Sequence, residues 1–277
     1  MKESKIPLAG VIGCPIAHSK SPQIHGHWLK TLGLKGHYVP LHVKPEDLSD
    51  ALRTMPKLGY VGANVTIPHK EQALEIADVV SDHAAKIGAA NTLVFGGDGK
   101  IHADNTDGYG FVQNLRQSAP KWNPSAGPAL VLGAGGAARA IIVALLDAGV
   151  PEILLSNRTA ERAETLCQEF GPRLKSVAWD TADTTVSDAA TLVNTTALGM
   201  TGKAPLTLSL KGLQTSTLVT DIVYAPLKTE LLAKAEEAGC ITVDGLGMLL
   251  HQAVPGFERW FGTRPAVDEA TRQAALA

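Results

Sequence analysis

Four short polar segments carry the side chains able to act on a small molecule. Gly13-Cys-Pro-Ile-Ala-His-Ser19-Lys-Ser21-Pro22 places two hydroxyls one residue apart, ahead of a helix expected from Pro22. Both can donate to a carboxylate while the helix dipole assists, whereas N-capping alone would account for one serine and leave the other unassigned. Asn64-Val-Thr66-Ile-Pro-His-Lys70, Asn91-Thr92 and Asp104-Asn-Thr-Asp107-Gly-Tyr-Gly110 follow. A lysine and an aspartate near one another can serve a carbonyl reduction, which needs a proton as hydride arrives and charge builds on oxygen. Plainer roles also fit these two residues: Lys70 as a solvated lysine at a helix start, Asp107 as an N-cap.

A second chemistry is written in Leu130-Val-Leu-Gly133-Ala-Gly135-Gly136-Ala-Ala138-Arg139. Its form is strand, G-x-G-x-x-A, helix. Gly133 allows the tight turn, Gly135 lets backbone approach a pyrophosphate, and Ala138 permits close packing of helix on strand. The helix N-terminus then offers free amides and a positive dipole end to phosphates. An ordinary βα turn could share the glycines, but the apolar strand before them and the apolar run to Leu146 supply the context of a dinucleotide site. The next strand, Ile153-Leu-Leu-Ser156, ends in Asn157-Arg158-Thr159, with Arg162 a helical turn beyond. Sites for NAD usually place a carboxylate there to accept from the ribose 2′-hydroxyl. Two guanidiniums instead suit a 2′-phosphate, so NADP is favoured over NAD.

Other classes are excluded. His18, His25 and His27 cluster near the serine loop, but no H-E-x-x-H and no cysteine set accompanies them, so no metal site is expected. No G-x-S-x-G elbow marks a serine hydrolase. A net charge of −2 and a pI near 6.5 lack the positive field that nucleic acid would require. Cys14, Cys167 and Cys240 form no C-x-x-C pair, which points away from disulfides and cysteine-bound zinc and towards a reducing cytoplasm. The longest unbroken apolar run, residues 140–146, falls far short of the ~20 residues of a membrane span. Lys2 and Lys5 precede an apolar stretch ending at Cys14 and superficially imitate an export signal; Pro7 and Gly10 interrupt it, and a buried first strand explains it better.

These segments need a scaffold, and the chain of 277 residues is long enough for one or two compact domains. With 45% hydrophobic and 19% charged residues its composition is that of a soluble globular protein. Strands are expected over 7–13, 37–43 and 61–66, with helices over 23–32, 45–55, 69–77 and 81–87. Strands over 92–95 and 101–103 flank Gly96-Gly97-Asp98-Gly99, a hairpin turn signal. This alternation argues for an α/β fold with a mainly parallel sheet. The proline-rich stretch 118–128 breaks the pattern, and the domain boundary is expected near it. A second series follows: strands over 129–132, 152–156, 176–179, 192–195, 218–223 and 241–244, with helices over 137–148, 160–170 and 229–238. Helices over 248–261 and 268–276 belong to neither series. Glycine supplies 27 residues, above the usual share of about 7%, which implies many special backbone positions.

In this order the segments resemble the shikimate dehydrogenase family across nearly the whole chain. The matching motifs are Gly13-x-Pro-x-x-His-Ser-x-Ser-Pro22, Asn64-Val-Thr-Ile-Pro-His-Lys70, Ala90-Asn-Thr92, Asn105-Thr-Asp-Gly108, Gly133-Ala-Gly-Gly-Ala-Ala-Arg139, Asn157-Arg-Thr159, Asn194-Thr-Thr-x-x-Gly-Met200, Asp221-Ile-Val-Tyr-x-Pro226 and Gly247-Met-Leu-x-x-Gln252. Any one could arise by chance, but their joint occurrence is highly specific. The resemblance implies reversible NADPH-dependent reduction of 3-dehydroshikimate to shikimate, on the route to chorismate and the aromatic amino acids. It implies that Ser19 and Ser21 bind the substrate carboxylate, that Thr66, Asn91, Asp107 and Gln252 hold ring hydroxyls with Tyr224 nearby, and that Lys70 paired with Asp107 polarises the carbonyl and supports proton transfer. For the cofactor it implies Gly133, Ala134, Gly135, Gly136, Ala137, Asn157, Arg158, Thr159 and Arg162 at the phosphates and adenosine ribose. Met248 and Gly245 would sit by the nicotinamide, with Thr195 and Ile222 also at the cofactor. The implied fold is an N-terminal α/β substrate domain over 1–110, completed by 246–277, and a Rossmann-type NADP-binding domain over 111–245. A homodimer is allowed by the same resemblance, although some members are monomers. His25-Gly26 departs from the His-Asn of many members: harmless if that asparagine only packs the helix, a loss of substrate affinity if it supports the carboxylate loop. The alternatives are a quinate/shikimate dehydrogenase of relaxed specificity and a non-catalytic NADP-binding regulator.

Overall fold

The computed structural model describes residues 6–277, so Lys2 and Lys5 lie outside the described residues. The chain divides into two compact units, one of residues up to Thr106 together with Leu250–Ala277, the other of Asp107–Leu249.

The first unit is built on β1 (Leu8–Gly13), α1 (Ser21–Thr31), β2 (His37–His42), α2 (Leu48–Thr54), β3 (Tyr60–Val65), α3 (Lys70–Ile76), β4 (Val79–Val80), α4 (Asp82–Ile87), β5 (Thr92–Phe95) and β6 (Ile101–Asp104). The strands form one sheet in the order β2-β1-β3-β5-β6-β4. β1 pairs in parallel with β2 and β3, and β4 with β6, whereas β3–β5 and β5–β6 are antiparallel. The sheet is therefore mixed. The hairpin responsible is the one signalled by the glycine turn, where Gly99 takes a φ of 79°. β1 is a nearly unbroken buried apolar run because it is covered on both faces. β2 is an edge strand, which is why it tolerates Pro40 and exposes Val39 and His42. The helix expected over 45–55 is shorter, because Pro45 opens a 3-10 turn, Pro45–Asp47, before α2, and a second one, Met55–Leu58, with Pro56 as its second residue, follows it.

The second unit comprises α5 (Asp107–Ser118), β7 (Ala129–Leu132), α6 (Gly136–Ala148), β8 (Ile153–Ser156), α7 (Ala160–Phe170), β9 (Leu174–Val177), α8 (Ala182–Thr185), β10 (Thr191–Asn194), β11 (Leu218–Asp221), α9 (Glu230–Glu237) and β12 (Ile241–Val243). Its sheet runs β12-β11-β10-β7-β8-β9 with every pairing parallel, the doubly wound arrangement. Residues of β7 alternate between two cores. Ala129 and Val131 pack with Ile141, Leu145 and Leu155, and Leu130 and Leu132 with Leu192, Val219 and Leu232. Both faces are thus covered, as an all-parallel sheet requires. The proline-rich stretch 118–128 lies inside this unit, joining α5 to β7, rather than at a boundary.

The last helices are α10 (Leu246–Phe261), with Pro255 inside it, and α11 (Glu269–Leu276). α10 starts in the second unit and continues in the first. There Trp260 donates from Nε1 to the Leu93 carbonyl at 3.0 Å, in space that a Cβ on Gly62 would fill, since it would lie 2.0 Å from that nitrogen. Trp28 of α1 donates to Ala266 O at 3.1 Å and meets Phe257 edge-on at 5.3 Å. The C-terminal segment therefore supplies core to the N-terminal one.

Candidate active site

In the first unit the residues singled out from sequence gather at the carboxyl ends of β1, β3 and β6. Gly13 must be glycine, because a Cβ there would lie 2.7 Å from Thr66 Cγ2. The loops after β1 and β3 are tied by Cys14 N donating to Ile67 O at 3.2 Å, and Thr66 N to Ile12 O at 2.9 Å. Ser21 is buried at the first residue of α1, and no side chain caps that helix. Ser19 Oγ accepts from Ser21 N, the first amide of α1, at 3.3 Å, and the N-cap residue Lys20 makes no side-chain cap. Lys70 is half-buried and opens α3.

Three donors fix the side-chain oxygen of Asn91. Its Oδ1 accepts from Thr106 N at 2.8 Å, Thr106 Oγ1 at 3.1 Å and Thr92 Oγ1 at 3.0 Å. Those donors identify the oxygen and leave the amide nitrogen turned the other way, where Nδ2 donates to Gln252 Oε1 at 3.2 Å. Thr106 Oγ1 also donates to Gln252 O at 2.8 Å, which fixes α10 to the same cluster. Behind it Tyr38 OH donates to Asn64 Oδ1 at 2.7 Å, and Asn64 Nδ2 to Asn91 O at 3.1 Å. Burial pushes the Tyr38 hydroxyl well above its usual pKa, so it remains a donor. His25 stacks on Tyr38 with ring centroids 3.8 Å apart. Burial drives its pKa down to about 3, so it is neutral. Asp104 anchors the strand end next to Asn105. Burial raises its pKa, but hydrogen bonds from Ser81 and Arg259 outweigh that and hold the carboxyl below its ordinary value. No group of three or more His, Cys, Asp or Glu side chains able to hold a metal ion occurs among the described residues. Gly26 is exposed on α1, and a Cβ there would meet nothing within 4 Å. A methyl at 26 would project into open space.

Asp107 and Tyr224 fall in the second unit, Asp107 buried in the first turn of α5 directly after Thr106, and Tyr224 half-buried after β11. The cofactor residues also lie in this unit, at the carboxyl ends of β7, β8, β10 and β11. Gly133 has a φ of 105°, and a Cβ would sit 2.7 Å from Thr195 Oγ1. Thr195 Oγ1 itself donates to Leu132 O at 2.7 Å, so the β10 end closes over the glycine turn. A Cβ at Gly135 or Gly136 would meet nothing within 4 Å, and α6 begins there without a side-chain cap. Open space beside uncapped helix amides fits a pyrophosphate. Asn157 Oδ1 accepts from Ala134 N at 3.1 Å, linking the glycine loop to the β8 end. Arg158, Thr159 and Arg162 are exposed there. Neither arginine has an ion-pair partner among the described residues, whereas Arg139 is bonded to Glu169 and lies 5.3 Å over the Phe170 ring. These residues fit NADP. Gly245 approaches Ile222 so closely that a Cβ would lie 2.2 Å from Ile222 O, and Met248 packs into the core beside Ile222.

Sequence reasoning assigned no role to Tyr38, Thr92, Thr106, Asn194, Asp221 or Thr229, all buried polar residues. The available signal was a polar residue at the end of an apolar strand, as in Asn194 and Asp221.

Family models match most of the chain: the shikimate dehydrogenase substrate binding domain over residues 11–93, shikimate / quinate 5-dehydrogenase over 117–246, and the shikimate 5'-dehydrogenase C-terminal domain over 245–276. The chain is 63% identical to the "Shikimate dehydrogenase (NADP(+))" of Ruegeria sp. (strain TM1040) over 276 residues, 100% of each chain. It is 64% identical to the protein of the same name from Roseobacter denitrificans, also over 100% of each. Among solved structures, Thermus thermophilus shikimate 5-dehydrogenase in complex with NADP(H) and shikimate superposes with a TM-score of 0.86 at 37% identity, covering 97% of this chain and 98% of that one. Corynebacterium glutamicum quinate dehydrogenase in complex with NAD gives a TM-score of 0.89 at 30% identity over 97% and 98%. With its site residues set on these two sheets and its whole length matched, the chain belongs to the shikimate dehydrogenase family.

Proposed function

We infer that this chain catalyses the reversible reduction of 3-dehydroshikimate to shikimate with NADPH. The observation that carries the reading is the end-to-end identity of 63–64% with relatives named as NADP-dependent shikimate dehydrogenases. The first unit, with α10 and α11, is the substrate half, and the second is the cofactor half. Ser19 and Ser21 donate to the substrate carboxylate. Asn91, locked as a donor by the hydrogen bonds to its oxygen, holds a ring hydroxyl together with Thr66, Asp107 and Gln252, and Tyr224 lies nearby. The uncapped amides of Gly135, Gly136 and Ala137 take the pyrophosphate, and Arg158 and Arg162 take the 2′-phosphate. When bound, NADPH supplies hydride to the carbonyl carbon. Lys70, working with Asp107, polarises the carbonyl as negative charge develops on its oxygen and supports proton transfer to it.

No helix of the described residues is long and apolar enough to cross a membrane. A cytoplasmic setting is supported by the three free cysteines, and a homodimer rests on the family resemblance alone.

Incubation with shikimate and NADP, followed by the absorbance of the reduced cofactor, tests the reading, and absence of turnover rejects it. The same assay with quinate and with NAD separates the alternatives. Equal kcat/KM for quinate would mark a relaxed enzyme, a reading favoured by the likeness to the quinate dehydrogenase and opposed by Ser19 and Ser21 together with Arg158. NADPH binding without turnover of either substrate would mark a regulator.

A further inference from the structure

The carboxyl ends of β10 and β11 are joined by a buried polar staple. Asp221 ends β11 at 1% exposure, and Asn194 ends β10 fully buried. The Asp221 carboxylate accepts from Asn194 Nδ2 at 3.0 Å, from Val223 N at 3.0 Å and from Thr229 Oγ1 at 2.8 Å. The Val223 bond closes a tight turn around Ile222, of the kind an Asp makes with the amide two residues on. Asn194 in turn accepts at Oδ1 from Thr196 N at 3.0 Å and Thr196 Oγ1 at 2.7 Å, and donates to Leu198 O at 3.2 Å. The two loops meet again where Thr201 N donates to Ala225 O at 2.8 Å. One side chain therefore sets the backbone on which Ile222 sits and, through the close approach of Gly245 to Ile222, the start of α10 with Met248. In a doubly wound sheet the strands on one side of the switch point serve the adenosine half of a dinucleotide and those on the other its second half. Here the ends of β7 and β8 carry the glycine loop and the arginines, so β10, β11 and β12, on the other side of β7, face the nicotinamide half.

We propose that Asp221 is a positioning residue for the nicotinamide half of the cofactor, holding the 221–224 turn and the 194–198 loop as one rigid wall. The proposal rests on the NADP reading above. A residue that acts only on global folding would weaken every ligand alike. Loss of this staple weakens only what lies on its side of the sheet.

The test uses the full-length protein with two ligands. One is NADPH, followed by its fluorescence, and the other is adenosine 2′,5′-bisphosphate, followed by calorimetry, which carries the adenosine half without the nicotinamide. Asp221→Leu is expected to weaken NADPH at least tenfold, raise KM for NADP similarly, and change the bisphosphate affinity less than twofold. Asp221→Asn keeps an acceptor towards Asn194 and Val223, and should restore NADPH affinity to within about threefold of the parent. Equal weakening of both ligands, or unchanged NADPH affinity in Asp221→Leu, overturns the proposal. If Asp221→Leu does not fold, Thr229→Val decides: removing one donor should weaken NADPH several-fold and spare the bisphosphate, and a variant indistinguishable from the parent overturns the proposal. A parent protein that binds neither ligand would instead refute the cofactor reading itself.

Discussion

The glycine turn after β7 allows stability and ligand binding to be separated within three residues. Gly133 has a φ of 105°, in the left-handed region that costs an L-residue about 1–2 kcal/mol. Its Cβ would also lie 2.7 Å from Thr195 Oγ1 and 3.0 Å from Thr196 Cγ2, so something must move. Thr195 is the candidate to move, and displacing it breaks its bond to Leu132 O, a loss of about 1 kcal/mol. Gly133→Ala should therefore destabilise the chain by about 2–3 kcal/mol. Gly135 has a φ of −96° and ψ of −173°, ordinary extended backbone, and no atom within 4 Å of a Cβ. Gly135→Ala gains a little from restricting the unfolded chain and loses a little as a helix cap, for a net change within about 0.5 kcal/mol. Its methyl nonetheless occupies the space left beside the α6 amides. Loss of a charge-assisted bond there, about 1.5–3 kcal/mol, corresponds to roughly 10–150-fold weaker NADPH binding. Denaturant unfolding and NADPH fluorescence titration measure the two effects. Comparable destabilisation by both variants, or parental NADPH affinity in Gly135→Ala, would refute the reasoning.

Lys70→Ala should lower turnover by roughly the 10²–10⁴ of a lost acid-base group while substrate affinity changes much less, and an equally active variant would remove Lys70 from the mechanism. Arg158→Ala should raise KM for NADP about tenfold, the low end for an exposed charged bond, and leave KM for NAD unchanged; steady-state kinetics with both cofactors decides. His25 is held neutral by burial, with a pKa of about 3, so as pH falls below the ordinary 6.5 the unfolded chain takes up a proton that the folded chain refuses. Stability should drop as pH falls from about 6.5 towards 3, by up to about 1.4 kcal/mol per unit from this residue, and His25→Phe should flatten that slope in unfolding curves at pH 7 and 5. Gly26→Ala, mid-helix and exposed, should stabilise the chain by about 0.5–1 kcal/mol and leave KM for shikimate unchanged; a raised KM would show that position 26 supports the carboxylate loop.

The second sheet was readable from sequence because its strands are short apolar runs between punctuated helices, and β7 lies where the pattern puts it, at Ala129–Leu132. α5 was not readable, because Gly108 and Gly110 in its first turns look like a loop. A Cβ on Gly108 would lie 2.8 Å from Ala140 O, so that glycine lets α5 press against α6, and tertiary packing overrides its poor helix propensity. β4, of two residues, is too short to leave a periodic signal. The mixed character of the first sheet was half visible: the hairpin was signalled, but its pairing against β3 depends on contacts distant in sequence. In the site, the hydroxyls, Lys70 and the arginines stand out by type and spacing. Tyr38, Asn64 and Thr106, which fix the orientation of Asn91, become apparent only through hydrogen bonds between segments 15 to 28 residues apart.

The contribution of Phe257 and Trp260 to the N-terminal core bears on the order of events during synthesis. The second unit is continuous in sequence and has all its strands once residue 249 has been made. The first has its whole sheet early but lacks the aromatic side chains that fill the space left by Gly62 and cover Trp28 until Phe257 and Trp260 have been made. Completion of the N-terminal core therefore follows synthesis of the second unit instead of preceding it. The sheet that is made first lacks part of its core until the residues of α10 beyond 249 have been added.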